Sequence, residues 1–189
     1  MNNTIRRAAV CAAAWLALLA VSGRCLAAAE TYNDEEIAKA ASTFFSSGAK
    51  ELSDVMAKVL KDKGAPVAII RGEEAGGAIG VGLRYGRGEL EFKNGAKRLV
   101  YWQGPSIGFD LGANAVKVFT LVYNLPSAEK LFQRYPGVEG SLYFVGGFGV
   151  NYLQNGSVAL APVRFGLGWR QGINLGYLKF TANKTANPL

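Results

Sequence analysis

From Gly104 to Ala113 the chain alternates two kinds of residue at a period of two. Gly104, Ser106, Gly108, Asp110 and Gly112 fall on one side; Pro105, Ile107, Phe109, Leu111 and Ala113 fall on the other. Successive strand side chains point to opposite faces, so this spacing predicts a half-buried strand whose second face is unusually small. Ala113-Asn114-Ala115 then predicts a turn, and the β-branched and aromatic run Val116–Tyr123 predicts its partner strand. The pattern recurs twice. Gly76, Ala78, Gly80, Gly82 and Arg84 alternate with Gly77, Ile79, Val81, Leu83 and Tyr85, and Arg164, Gly166, Gly168 and Arg170 alternate with Val163, Phe165, Leu167 and Trp169.

The N-terminus follows other rules. Arg6 and Arg7 precede an apolar run from Ala8 to Val21, and the small residues Ala27-Ala28-Ala29 follow. This is the layout of a secretory signal peptide, with an apolar run too short for a spanning helix, so residues 1–29 are expected to be removed. A lipid anchor on Cys25 is rejected because Arg24 stands where a small residue is needed. Both cysteines leave with this segment, and the sequence has no histidine. The remaining 189 − 29 = 160 residues carry 21 − 3 = 18 basic and 14 acidic side chains, a balance of +4. Without disulfides the core alone must hold the exported domain together. The charge would favour anionic envelope surfaces weakly and lacks the dense basic footprint of a nucleic-acid binder.

Residues 30–64 are predicted to be helical. Asn33 and Asp34 are candidate caps, and Glu35 and Glu36 suit the first turn. One apolar stripe joins Ile37, Ala40, Ala41, Phe44 and Phe45; after an interruption at Gly48 a second joins Leu52, Val55, Met56, Val59 and Leu60. Gly64-Ala65-Pro66 ends the helix. Residues 65–182 are predicted to be strands. These begin with a short one at Val67–Ile70, and Gly86-Arg87-Gly88 and the Asn-Gly pairs at 94–95 and 155–156 act as turns. Pro126–Arg134 is expected to form a short helix capped by Ser127 and ended by Pro136-Gly137. Ser141–Leu153 reads as one long strand, and residues 183–189 as a loose tail. Together these predict a mainly β fold, a small antiparallel barrel of about eight strands in meander order with an N-terminal helical cover. Dense glycine supports tight curvature.

Catalytic options are narrow. A chain without His or Cys offers no Ser-His-Asp triad, no Cys-His pair and no ordinary zinc site, so no catalytic residue, metal or cofactor is assigned. Glu73-Glu74 is the obvious carboxylate pair, but strand neighbours point apart, and a surface turn before Ala75-Gly76-Gly77 needs no chemistry. Arg84, Asp110 and Arg164 are the candidate ligand-binding set. Each sits on a glycine-lined face, among residues too small to bury it. Exposed charges or register-fixing pairs would explain them; as a site they would cradle an anionic headgroup with forked guanidinium donors.

Six ordered segments carry a family resemblance: Arg71-Gly-Glu-Glu-Ala-Gly-Gly-Ala78, Gly82-Leu-Arg-Tyr-Gly86, Gly104-Pro-Ser-Ile-Gly-Phe-Asp110, Tyr135-Pro-Gly-Val-Glu-Gly-Ser141, Leu160-Ala-Pro-Val-Arg164 and Gly176-Tyr-Leu-Lys-Phe180. In that order they resemble the EipA-like family of proteobacterial envelope-integrity proteins. The resemblance implies a periplasmic β-barrel that supports envelope stress resistance, with no catalytic residues to carry over. The hairpin Gly104–Tyr123 more distantly resembles the SYLF lipid-binding domain. Three non-enzymatic functions are therefore expected in order: binding of an envelope lipid or amphiphile, docking of an envelope protein, and an integral outer-membrane barrel. The last would use Ser141–Leu153 as a spanning strand. A hydrolase using Glu73 or Glu74 comes fourth.

Overall fold

The computed structural model describes residues 29–110, 115–166 and 176–185, with the side chains of 77–81 and 106–110 outside that set. Among the described residues two helices come first, α1 (Asp34–Phe45) and α2 (Lys50–Lys63). Asn33 begins α1 with a full capping box, its side chain accepting from Glu36 N while Glu36 accepts from Asn33 N, both at 2.9 Å. Two orphan amides are thereby satisfied. Gly48 lies in the connection, and Gly64 ends α2 at φ 78°. Among the described residues no helix is long and apolar enough to cross a membrane.

Among the described residues nine strands then form one sheet: β1 (Ala68–Phe92), β2 (Lys97–Asp110), β3 (Val116–Tyr123), β4 (Arg134–Pro136), β5 (Tyr143–Val145), β6 (Phe148–Val150), β7 (Leu153–Asn155), β8 (Val158–Phe165) and β9 (Tyr177–Thr181). Their order is β4-β9-β2-β1-β3-β8-β6-β5, with β7 also paired to β8. The sheet curls until its ends approach. Gly137 bridges Leu153, and Val138 N donates to Tyr152 O at 2.9 Å. The fold is thus a curled, barrel-like sheet with two N-terminal helices, as the sequence predicts, although the order is not a plain meander.

Several local expectations change. β1 does not stop at Ile70 and does not turn at Gly86-Arg87-Gly88; it runs through both and doubles back. A side chain at Gly88 would strike Arg71 O, and one at Gly76 would strike Leu83 O and Arg84. The two arms of β1 therefore face one another closely, the first pairing with β3 and the second with β2. Gly86 faces Trp102 across the ladder, and a Cβ there would land on the indole ring. These glycines serve close approach rather than a bend. Glu73 and Glu74 are mid-strand rather than in a surface turn.

Ser141–Leu153 is three short segments, because Gly146 and Gly147 both take positive φ (54° and 89°) and fold β5 onto β6. Only glycine adopts that conformation cheaply, and it makes a tight hairpin. Pro126–Arg134 yields a single 3-10 turn at Ala128–Leu131, without a capping bond from the Ser127 side chain. Pro136 closes strand β4 instead of a helix. The Asn-Gly turns form as expected, with Gly95 at φ 85° and Gly156 at φ 58°. The turn predicted at 113–115 falls largely, and the strand beyond Gly166 wholly, outside the described residues.

The strands bury both faces. Ile69, Phe119, Leu121, Phe148 and Val163 pack outward beneath Ile37, Phe45, Val55 and Val59 of the helices. The opposite face turns Ile70, Leu90, Trp102, Val122, Leu160 and Phe180 into the barrel interior.

Candidate functional site

Three strands and the link between β6 and β7 bring polar groups into that apolar interior. Glu74 on β1 accepts from the Trp102 indole nitrogen at 2.8 Å and from Arg164 Nε and Nη2 at 3.2 and 3.3 Å. Arg164 Nη1 donates to Asn151 Oδ1 at 2.9 Å. Glu74, Arg84, Asn151 and Arg164 are all buried, Arg164 completely so. Burial pushes the Glu74 carboxyl up, but Arg164, then Arg84 and the Trp102 N–H outweigh it and hold it below the usual carboxylate range. Burial likewise lowers the Arg84 guanidinium to about 10, with Glu74 opposing and Arg164 reinforcing the shift.

The sequence-predicted set is partly assembled here. Arg84 and Arg164 do converge, since both act on Glu74. Contrary to expectation, the glycine-lined faces do not leave them exposed: the curled wall closes over side chains that a flat sheet would have shown to water. Asp110 pairs with Ala78 in the β1–β2 ladder, and its side chain lies outside the described residues. Trp102 and Asn151 were not singled out by sequence reasoning, which considered Glu74 only as half of a carboxylate pair with Glu73. Glu74 shares no site with Glu73, which is exposed on the other face. A carboxylate gripped by two guanidinium nitrogens is a poor general base, and among the described residues no three His, Cys, Asp or Glu groups gather to hold a metal.

On the outward face the helices leave part of the sheet uncovered. There a groove of about 830 Å³ is bordered by Glu73, Tyr85, Arg87, Tyr101, Gln103 and, after β9, Lys184. The ladder sets this wall, with Tyr85 opposite Gln103, Arg87 opposite Tyr101, and Tyr101 opposite Thr181. Trp102 and its partner Gly86 also border it, so the buried charge network adjoins the groove through the indole. The volume lies within the range of small-molecule sites, about 300–1,000 Å³.

Residues 30–189 match the family described as envelope integrity protein A. A crystal structure of a beta-barrel-like, uncharacterized protein from Brucella abortus is 42% identical, with a TM-score of 0.77 over 84% of this chain and 99% of that one. No curated protein matches.

Proposed function

The chain belongs to the envelope integrity protein A family, and on that premise we propose that it is a non-catalytic, exported protein that protects the cell envelope by binding an envelope amphiphile. The observation that carries the binding reading is the outward groove, partly aromatic and ligand-sized, on the sheet face the helices leave open. Arg84 and Arg164 are assigned the wall behind it: Arg164 holds Glu74, Arg84 adds a second positive charge beside it, and Glu74 fixes Trp102. The helical cover on the rest of the outward face, and the three-residue strands β4–β7, argue against a lipid-embedded barrel, whose strands need about nine to eleven residues.

The test is deletion of the gene, followed by complementation and solvent extraction of the protein purified from the periplasm. Detergent sensitivity restored to normal by the wild-type gene, together with a stoichiometric lipid in the extract, supports the reading. An unaltered envelope barrier in the deletion strain would remove it.

A second reading, docking of an envelope protein, is favoured by one feature. Phe144, on the edge strand β5, is 42% exposed, and Phe165, at the end of β8, is 51% exposed. Large apolar side chains at a sheet edge suit a protein partner. A clean apo mass and a crosslink from position 144 to one defined protein would replace the amphiphile reading with this one.

A further inference from the structure

The charges around the outward groove differ from most of those along β1 and β2. Along β1 and β2 most cations have a carboxylate beside them: Arg71 with Glu91, Lys97 with Glu89 at 3.0 Å, and Arg98 with Glu129 at 2.9 Å. Arg87 forms no such ion pair among the described residues, and neither does Lys184 across the groove. One carboxylate, Glu73, borders the same space and is likewise outside any ion pair there. Two cations and one anion therefore rim a single concavity. Between them lie Tyr85, 38% exposed, and Tyr101, half-buried, whose rings offer an apolar body with a polar tip.

Resting on the binding reading above, we propose that this groove takes one amphiphile with a phosphoethanolamine-type headgroup. The phosphate is held by Arg87 and Lys184, the ammonium by Glu73, and the apolar chain lies against Tyr85 and Tyr101. Arginine supplies planar forked donors for phosphate oxygens and lysine a point charge. A plain anion would satisfy the two cations but would face Glu73 across the same space. A zwitterion satisfies all three, so Glu73 selects for the ammonium.

The test is calorimetric titration of the protein purified from cells with a lysophosphatidylethanolamine below its micelle threshold. An alkyl phosphate, an alkyl maltoside of equal chain length and inorganic phosphate serve as comparison probes. One-site binding is expected, weakened about ten-fold by Arg87→Ala and by Lys184→Ala, the loss of one charge-assisted bond. Glu73→Gln is expected to weaken the lysophospholipid and strengthen the alkyl phosphate, an inversion that a merely structural role would not produce. All three changes are near the surface, and unchanged thermal melting confirms the fold. Equal binding of the maltoside, equal binding of inorganic phosphate, or indifference to Arg87→Ala and Lys184→Ala overturns the proposal. A lipid that co-extracts with the protein while the titrations fail places binding elsewhere and leaves the envelope reading intact. Absence of both removes the two together.

Discussion

The Trp102 indole nitrogen donates to Glu74 Oε2 at 2.8 Å across the inside of the sheet, while its ring lies against Gly86. A carboxylate and an aromatic plane thus hold each other in register, and Arg164 completes the clamp.

That clamp sets an acid limit. The Glu74 carboxyl is lowered in the folded state, so it contributes stability that is fully present above its unfolded value near 4.5 and is lost as pH falls through the folded value. Thermal melting between pH 7 and pH 2 should show an acid-side decline that Glu74→Gln makes shallower. An unaltered slope would mean Glu74 is not linked to folding.

Removing one partner should hurt more than removing both. Arg164→Met strands Glu74 in the interior and is expected to lose about 3–5 kcal/mol of unfolding free energy. The double variant Glu74→Gln, Arg164→Met should recover part of that loss, the remainder reflecting the buried Arg84 deprived of the Glu74 charge. Urea denaturation of the four proteins in the cycle gives the coupling directly.

Two glycines should respond in opposite directions. Gly86→Ala drives a methyl into the Trp102 ring and is expected to destabilise by about 1–3 kcal/mol, with a change in tryptophan emission. At Gly48 a Cβ meets nothing within 4 Å, and its φ is not positive. Gly48→Ala should therefore leave stability equal or raise it by about 0.4–1 kcal/mol. Equal midpoints for the two variants would refute the packing role assigned to Gly86.

The first helix should depend on its cap. Asn33→Ala removes the acceptor for the Glu36 amide and is expected to lose about 1 kcal/mol, while Asn33→Asp should retain most of it. Midpoint shifts in chemical denaturation distinguish the two.

Local signals were legible where the chemistry is local. Asn33 before an acidic turn, and Gly95 and Gly156 after asparagine, announce their conformations within four residues. The paired glycines at 146–147 carried a hairpin signal that the surrounding apolar run obscured. Arg84 and Arg164 stood out because small residues flank them, yet alternation cannot tell the inside of a curled sheet from the outside of a flat one. Nor can it show that Glu74 meets a residue ninety positions away. The groove escaped for the same reason. Tyr85 was visible only as one member of an alternating strand and Tyr101 was not singled out, and their shared border with Lys184 exists only once β9 lies beside β2.

The distance along the chain between Glu74 and Arg164 bears on how long a molecule stays folded. Their contact joins strands that are linked through β3, so it is expected to close after β1, β3 and β8 have docked and much of the loop-closure entropy has been lost. Interactions formed that late are expected to slow unfolding while leaving the folding rate nearly unaltered. Residues 30–189 contain no cysteine to cross-link them, and a lifetime set by one buried ion pair would do part of the work of a disulfide there.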